Sequence, residues 1–338
     1  MAAEIRAGAW REKLPGERQL AGYFAVSRKT IRAALSILAR ANMLRLSGWQ
    51  RIVTDSTKDN SIKRGRQTVV LITGNNEERS ELASKLEHHL ALSGYDLQVE
   101  MVPARGNARR WLEKLSDRRS ASVWLLCSVS REVQSWFERR GLQALILGSR
   151  HKGIHLPDLD VNYRAVCRHA VHTLLRLGHR KIVFFSVDSG LAGDLESEFG
   201  FSEAFSKFEE NPARGRIIRH KGSRMQIGRL LGHLFGGAGQ PTAMIVARVC
   251  YMTAVTGYLM RMGLKIPANV SLICRDDDPL FEYFVPAPSC YHRDFDRFVR
   301  RAAQLAVRLD QGVSLRSSSL RLMPQFVAGE TIAACRTS

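Results

Sequence analysis

Three cations fall within five residues of the stretch VSRKTIRAAL: Arg28, Lys29 and Arg32. Arg28 and Arg32 are four apart, and Lys29 and Arg32 three apart, so all three share one side of a helix. Ser27, directly before them, is a good N-cap, and a helix N-terminus favours phosphate through its unpaired N–H groups. Two readings compete: a solvated helix face, and a helix laid against nucleic acid. Other chemistry-bearing residues carry less. Asp276-Asp277-Asp278 has the composition of a divalent-cation site, but beside Pro279 it reads as a strand-end loop. His169 and His172 are three apart, and His88 and His89 adjacent, with no carboxylate or Cys at metal-ligand spacing. Gly236-Gly237-Ala238-Gly239 follows a helix instead of opening one, so it is no phosphate loop. No Gly-x-Ser-x-Gly elbow occurs. The expectation is no metal, no cofactor and no catalytic constellation.

The elements around the cations decide between the two readings. Pro15-Gly16 breaks the chain; Gly16 can cap a helix, with Gln19 able to reach back to it. Glu17 to Phe24 carries Leu20, Ala21 and Phe24 on one face. Ala25-Val26 makes a short turn, and in the next helix Ile31, Leu35 and Leu38 face inward, opposite the cations. MLRLSGWQRIV then forms two short strands joined at Ser47-Gly48. Helix, tight turn, helix and hairpin make a winged helix-turn-helix, whose second helix enters the major groove N-terminus first. Turn, cap and hairpin in register favour DNA over a solvated face.

Bulk properties agree. The 338 residues are too many for one ordinary core. The net charge of +19 favours a polyanionic partner. Residues 1–66 hold 14 Lys/Arg against 5 Asp/Glu, so about half of the excess sits on a fifth of the chain. The six cysteines form no CxxC pair, which fits buried thiols in a reducing cytoplasm. There is no run of about 18 apolar residues to span a membrane, and no apolar stretch of a signal peptide near Met1.

LPGERQLAGYFAVSRKTIRAALSILARANML resembles the winged helix-turn-helix of GntR-type bacterial regulators, over about residues 2–53. Carried over by position, the resemblance implies that Arg18 meets phosphate. It makes Ser27, Arg28, Lys29, Thr30 and Arg32 the recognition-helix contacts and Gly48 the wing tip. Trp49 beside it either packs under the wing or touches the minor groove. The sequence departs from the family pattern at Gly16 (usually Ser), Ala25 (commonly Gly) and Gln50 (usually a second Gly).

Residues 54–67, TDSTKDNSIKRGRQ, are polar and aperiodic and read as a linker. From Val69 to Ser149 short apolar strands alternate with helices. The pattern restarts with a helix over 164–177 and runs to the strand VSLIC, with a helix expected over Phe199 to Phe208. Two similar halves of doubly wound parallel sheet imply a cleft beyond the carboxyl ends of the strands. LPDLDVNYRAVCRHAVHTLLRLGHRKIVFFS, the run from PTAMIVAR to CRDDD, and LMPQFVAGET resemble the LacI/GalR effector domain. The expected architecture is thus a small winged helix-turn-helix (1–53), a linker (54–67) and a two-lobed periplasmic-binding-protein-like α/β domain (68–338).

That resemblance implies a dimer on a palindromic operator, answering to a small molecule. Pocket positions carried over are Asn75 and Asn76 after the first strand, Asn162, Arg248 and Asp276. The arginine the family often uses three residues before Gly200 is Ser197 here, and Arg248-Val249 replaces an Asn-Asp pair. Arg248 suits a carboxylate or phosphate by bidentate pairing, which makes an anionic metabolite an alternative to a sugar. Equally, Arg248 pairs with Asp276 or Asp277 and rigidifies an unliganded domain. The reading is a cytoplasmic repressor without enzymatic activity. Its alternatives are a DNA-binding protein whose body only dimerises, and a two-lobed α/β enzyme.

Overall fold

The computed structural model describes residues 14–24, 26–40, 44–47, 50–53, 67–74, 79–103, 106–206, 214–315 and 318–335, with backbone alone at 39–40, 44–47, 50–53 and 79–80. Contacts divide the chain into two units, Met1–Gly65 and Arg66–Ser338.

In the first unit, α1 (Glu17–Tyr23) and α2 (Arg28–Arg40) precede an antiparallel pair, β1 (Leu44–Ser47) and β2 (Gln50–Val53), with Ser47 opposite Gln50. The apolar stripe of α2 buries Ile31, Leu35 and Leu38 against Leu20 of α1. Full burial of such side chains stabilises by roughly 1.5–3 kcal/mol each. Ser27 Oγ accepts the Thr30 N–H at 3.1 Å, as an N-cap should. Gly16 precedes α1 in extended conformation, but no side chain caps that helix, so Gln19 does not reach back. Ala25, Gly48, Trp49 and the linker through residue 66 lie outside the described residues.

The second unit has two lobes. One is a six-stranded parallel sheet of order β13-β7-β6-β5-β3-β4. These strands are β3 (Gln67–Thr73), β4 (Tyr95–Met101), β5 (Val123–Cys127), β6 (Ala144–Leu147), β7 (Asp158–Val161) and β13 (Ser319–Leu322). Its central strands are apolar on both faces because helices cover both. Val69, Leu71, Val123 and Leu125 pack under α3 (Arg79–Ala91) and α10 (Phe295–Asp310). Alternate residues Val70, Ile72, Trp124 and Leu126 pack under α4 (Ala108–Arg118) and α5 (Arg131–Arg139).

The other lobe is a four-stranded parallel sheet of β8 (Lys181–Val187), β9 (Arg214–His220), β10 (Ala243–Val246) and β11 (Ser271–Cys274), in the order β11-β10-β8-β9. On one face lie α6 (Tyr163–Arg176) and α7 (Ala192–Ser206), and on the other α8 (Arg224–Phe235) and α9 (Val249–Arg261). A Cβ at Gly200 would stand 2.0 Å from the Arg164 carbonyl oxygen, so only glycine lets α7 approach α6 this closely.

Two expectations are corrected. The halves are not simply sequential. The chain leaves the first lobe after β7, returns to it with α10 and β13, and ends beside the second lobe in β14 (Gln325–Val327), paired with β12 (Cys290–His292). It therefore crosses between the lobes three times. The polar DLDV strand and the late helix give no period that assigns them to the first lobe. The second correction is α7, which begins at Ala192, not Phe199. Its first two turns bury Asp194, Ser197 and Glu198, so polar residues occupy the face where an apolar stripe would have signalled a helix.

Candidate nucleic-acid interface and cleft site

On α2 the side chains of Arg28, Lys29, Thr30 and Arg32 are exposed, as is Arg18 on α1. Ser27 and Thr30 hydroxyls lie 2.9 Å apart, so the cap ties down the start of the helix. Arg32 is not free: its Nε donates to Glu17 at 2.7 Å, linking the two helices. Arg28 and Lys29 have no hydrogen bond or ion pair among the described residues, and the first turn of α2 holds no acid to neutralise them. A helix N-terminus with two uncompensated cations attracts a polyanion.

At the carboxyl edge of the second sheet lies a cluster of two arginines and two carboxylates. Arg275, following β11, is only 4% exposed. It donates to Asp194 at 2.8 Å, to Ser197 Oγ at 2.9 Å and to Asp276 at 3.0 Å, and lies 4.3 Å from the Tyr163 ring centre. Burial opposes its charge, but the carboxylates of Asp276 and Asp194 raise its pKa well above the usual range. Arg248, the residue before α9, is 28% exposed and donates to Asp194 at 2.8 Å. Burial works against ionisation of Asp194 too, yet the charges of Arg275 and Arg248 and a 2.5 Å hydrogen bond from Ser189 hold its carboxyl below the ordinary value. Arg248 thus pairs with Asp194, which corrects the expected pairing with Asp276 or Asp277. Position 197 on α7 lacks the expected arginine, yet Arg275 brings a guanidinium to it from the end of β11.

The remaining predicted residues are placed less evenly. Asn162 caps α6, its side-chain oxygen accepting from the Ala165 N–H at 3.1 Å. Asp276 is held by Arg275, Asp277 by His292 at 2.5 Å, and Asp278 caps the 3-10 turn Pro279–Tyr283, so the acidic triplet has three separate structural partners. His169 bonds the Tyr291 hydroxyl at 2.7 Å. Asn75 and Asn76 lie outside the described residues, beside Gly74, where a Cβ would meet the Ser128 carbonyl oxygen at 2.2 Å. Ser128 itself has φ +50, a strained left-handed conformation of a kind concentrated at functional sites.

Sequence reasoning missed several polar residues around the cleft-side strand ends, among them Asp160, Asp194, Ser186 and His220. Asp160 of β7 is buried and takes a 2.5 Å hydrogen bond from Ser149, and burial pushes its carboxyl up to about 6. A Cβ on Gly193, at the start of α7, would approach Asp160 Oδ2 to 3.7 Å and the Tyr163 ring to 3.3 Å, so the second lobe rests on the crossing segment here. His220, ending β9, stacks on Phe185 and meets Tyr251 edge-on; burial, with Arg248 nearby, lowers its pKa to about 4. Its Nδ1 accepts from the Gly222 N–H at 3.1 Å, which leaves the proton on Nε2. That Nε2 and Ser186 Oγ are buried with no partner among the described residues. Only pairings between distant positions reveal these groups: Asp194 and Arg275 are 81 residues apart.

Comparisons with known proteins give the class. The description "Bacterial regulatory proteins, gntR family" matches residues 2–51, and "Periplasmic binding protein-like domain" matches residues 171–332. The body is similar to a putative transcriptional regulator from Yersinia pestis biovar Microtus (21% identity, TM-score 0.72, covering 80% of this chain and 99% of that one). It is also similar to a LacI family transcriptional regulator from Bifidobacterium animalis (19%, 0.70, 80% and 98%). A third likeness is to the lac repressor dimer bound to operator and the anti-inducer ONPF (16%, 0.71, 80% and 96%). No curated protein matches. The head thus matches a family of bacterial regulatory proteins, and the body shares the fold of the solved regulators. More narrowly, the chain is similar to a GntR-type head joined to a periplasmic-binding-protein-like body with the fold of these solved regulators. Among the described residues no helix is long and apolar enough to cross a membrane.

Proposed function

We propose that the chain is a cytoplasmic, dimeric, sequence-specific repressor that binds a palindromic operator and is reset by a small molecule held between the lobes. The observation that carries the DNA reading is α2, with its apolar stripe on Leu20 and Arg28 and Lys29 exposed at its capped N-terminus. In this reading Arg28, Lys29 and Thr30 meet base edges. Arg18 and Arg32 hold phosphate, with Glu17 aligning Arg32. Gly48 and Trp49 form the tip of the wing. The head spans 1–53, the linker 54–67 and the sensing body 68–338. Three crossings between the lobes suit a hinge, and Asn75, Asn76, Asn162, Arg248 and Asp276 line the cleft that an effector closes. Closure shifts the spacing of the two heads, and DNA affinity follows by population shift.

Selection of the full-length protein against random duplexes at stated salt tests the first half. An enriched palindrome supports a dimeric regulator; uniform, salt-sensitive binding overturns sequence specificity. A second reading has its own support. Arg248, Arg275, Asp194 and Asp276 balance one another in charge, as in a body that dimerises and senses nothing. A thermal-shift screen of metabolites separates the two, since only a sensor gains stability from a ligand.

A further inference from the structure

Asp194 holds two cations at once, and they differ. Arg275 is buried, and its donors go to Asp194, Ser197 and Asp276. Arg248 is partly exposed and makes one hydrogen bond among the described residues, to Asp194 Oδ2. The rest of its guanidinium fork makes no hydrogen bond among the described residues. Asp194 does not depend on Arg248: without it, Oδ1 keeps Arg275 at 2.8 Å and Oδ2 keeps Ser189 at 2.5 Å. One of the two arginines is therefore structural, and the other is held by a carboxylate that can release it while staying satisfied.

Resting on the reading of the cleft as an effector site, we propose that Asp194 is an internal stand-in for an anionic effector group. A carboxylate or phosphoryl group of the ligand replaces Asp194 on Arg248, while Asp194 stays on Arg275. Two further observations point to a ligand here. His220 Nε2 and Ser186 Oγ, at the ends of the adjoining strands, are buried with no partner among the described residues, and the His220 ring lies against Tyr251 in the first turn of α9. That turn also offers helix N–H groups and contains no acid. A neutral polyol gains little from Arg248 already paired; an anion gains charge-assisted bidentate bonds that a single Asp194 oxygen does not give. The exchange has a route to the lobes. Asp194 stands in the first turn of α7, beside Gly193 packed on Tyr163 and Asp160, so releasing Arg248 uncouples α7 from α9 next to a crossing segment.

The test is calorimetry and thermal shift on the full-length protein with inorganic phosphate, citrate, glucose 6-phosphate and glucose. At least one anion should bind the wild type. Asp194→Asn, which still accepts from Arg275, should bind that anion several-fold more tightly because the internal competitor is gone. Arg248→Gln should weaken it about tenfold or more, with Arg248→Lys between. Melting of each variant without ligand shows that it folds. Anion binding no tighter in Asp194→Asn than in wild type overturns the proposal. Glucose bound equally by wild type and Arg248→Gln, with no anion bound, overturns the anionic class but keeps the effector reading. A flat response to all four compounds also overturns the proposal; the effector reading is then judged on whether a metabolite extract loosens the operator complex.

Discussion

Replacing Arg275 by Met removes the charge while keeping a side chain of similar length. It takes away the bonds to Asp194, Ser197 and Asp276 and the contact with the Tyr163 ring. Breaking a buried pair by removing one partner costs about 3–5 kcal/mol, because the other charge is left uncompensated. Here Asp194 keeps Arg248 and Ser189, and Asp276 is 29% exposed, so water takes over part of its solvation. The lower end, about 3 kcal/mol, is expected. For a body of this size that is a fall in melting temperature of about 5 °C or more. The sign with pH is distinctive. In the wild type the Asp194 carboxyl is held below its unfolded value of 3.8, so its pairing stabilises above that value and is lost as pH falls through the folded one. With Arg275 gone, much of that contribution goes too, and the gap between wild type and Arg275→Met should be widest near neutral pH and close towards pH 3. Denaturant or thermal melts across pH measure it. Equal stability at pH 7.5, or a gap that stays unchanged as pH falls from 7.5 to well below 3.8, would refute the ion-pair account.

Arg28→Ala should cost about 1–3 kcal/mol of specific operator binding if the side chain is bidentate to guanine, whereas Arg18→Ala, on phosphate, should lower the salt slope by about 1; titrations at several salt concentrations separate them. Asp160→Asn addresses a carboxyl raised to about 6, whose stabilising protonated form is complete below pH 3.8 and lost as pH rises through 6. The variant should therefore gain on the wild type between pH 4 and 6, by up to about 3 kcal/mol, and hold that lead above; a difference curve flat over this window speaks against a buried ionised Asp160. Gly200→Ala should destabilise by about 3 kcal/mol or more, because the new methyl meets the Arg164 backbone. Gly257→Ala, in the same body with nothing within 4 Å, should stabilise by about 0.5–1 kcal/mol through helix propensity alone, and chemical denaturation reads both.

Wherever burial follows a period, the fold was legible. Ile31, Leu35 and Leu38 announce α2, and the apolar runs of β3, β5, β8 and β10 announce parallel strands covered on both faces. The start of α7 was not, because Asp194, Ser197 and Glu198 are buried there by ion pairs and hydrogen bonds, which leave no apolar stripe. Nor was the destination of α10: its apolar face is plain, but nothing local says that it packs on the first lobe. At the cleft, Arg248 and Asp276 were named from the sequence, but the pairing offered for Arg248 was with Asp276 or Asp277, whereas Arg248 pairs with Asp194 and Asp276 with Arg275. Charges find each other across the sheet edge by proximity in space, and the Arg275 guanidinium beside Ser197 shows how a cation absent at one position arrives from another.

The late return of α10 and β13 also bears on synthesis. Lys85 and Tyr95 wait for Asp296 and Asp310, more than 200 residues downstream. On the ribosome the first lobe emerges first and yet cannot finish: α3 and its sheet lack the helix that covers Leu82, Leu86 and Leu90, and β7 lacks its outer neighbour. The second lobe, by contrast, has its four strands and helices in hand by Cys274. Vectorial folding therefore runs against the order of the sequence, and a nascent chain carries an open apolar sheet through most of translation. Such a chain needs chaperone cover during that interval, and a polypeptide halted before residue 295 is a client for degradation instead of a half-working regulator.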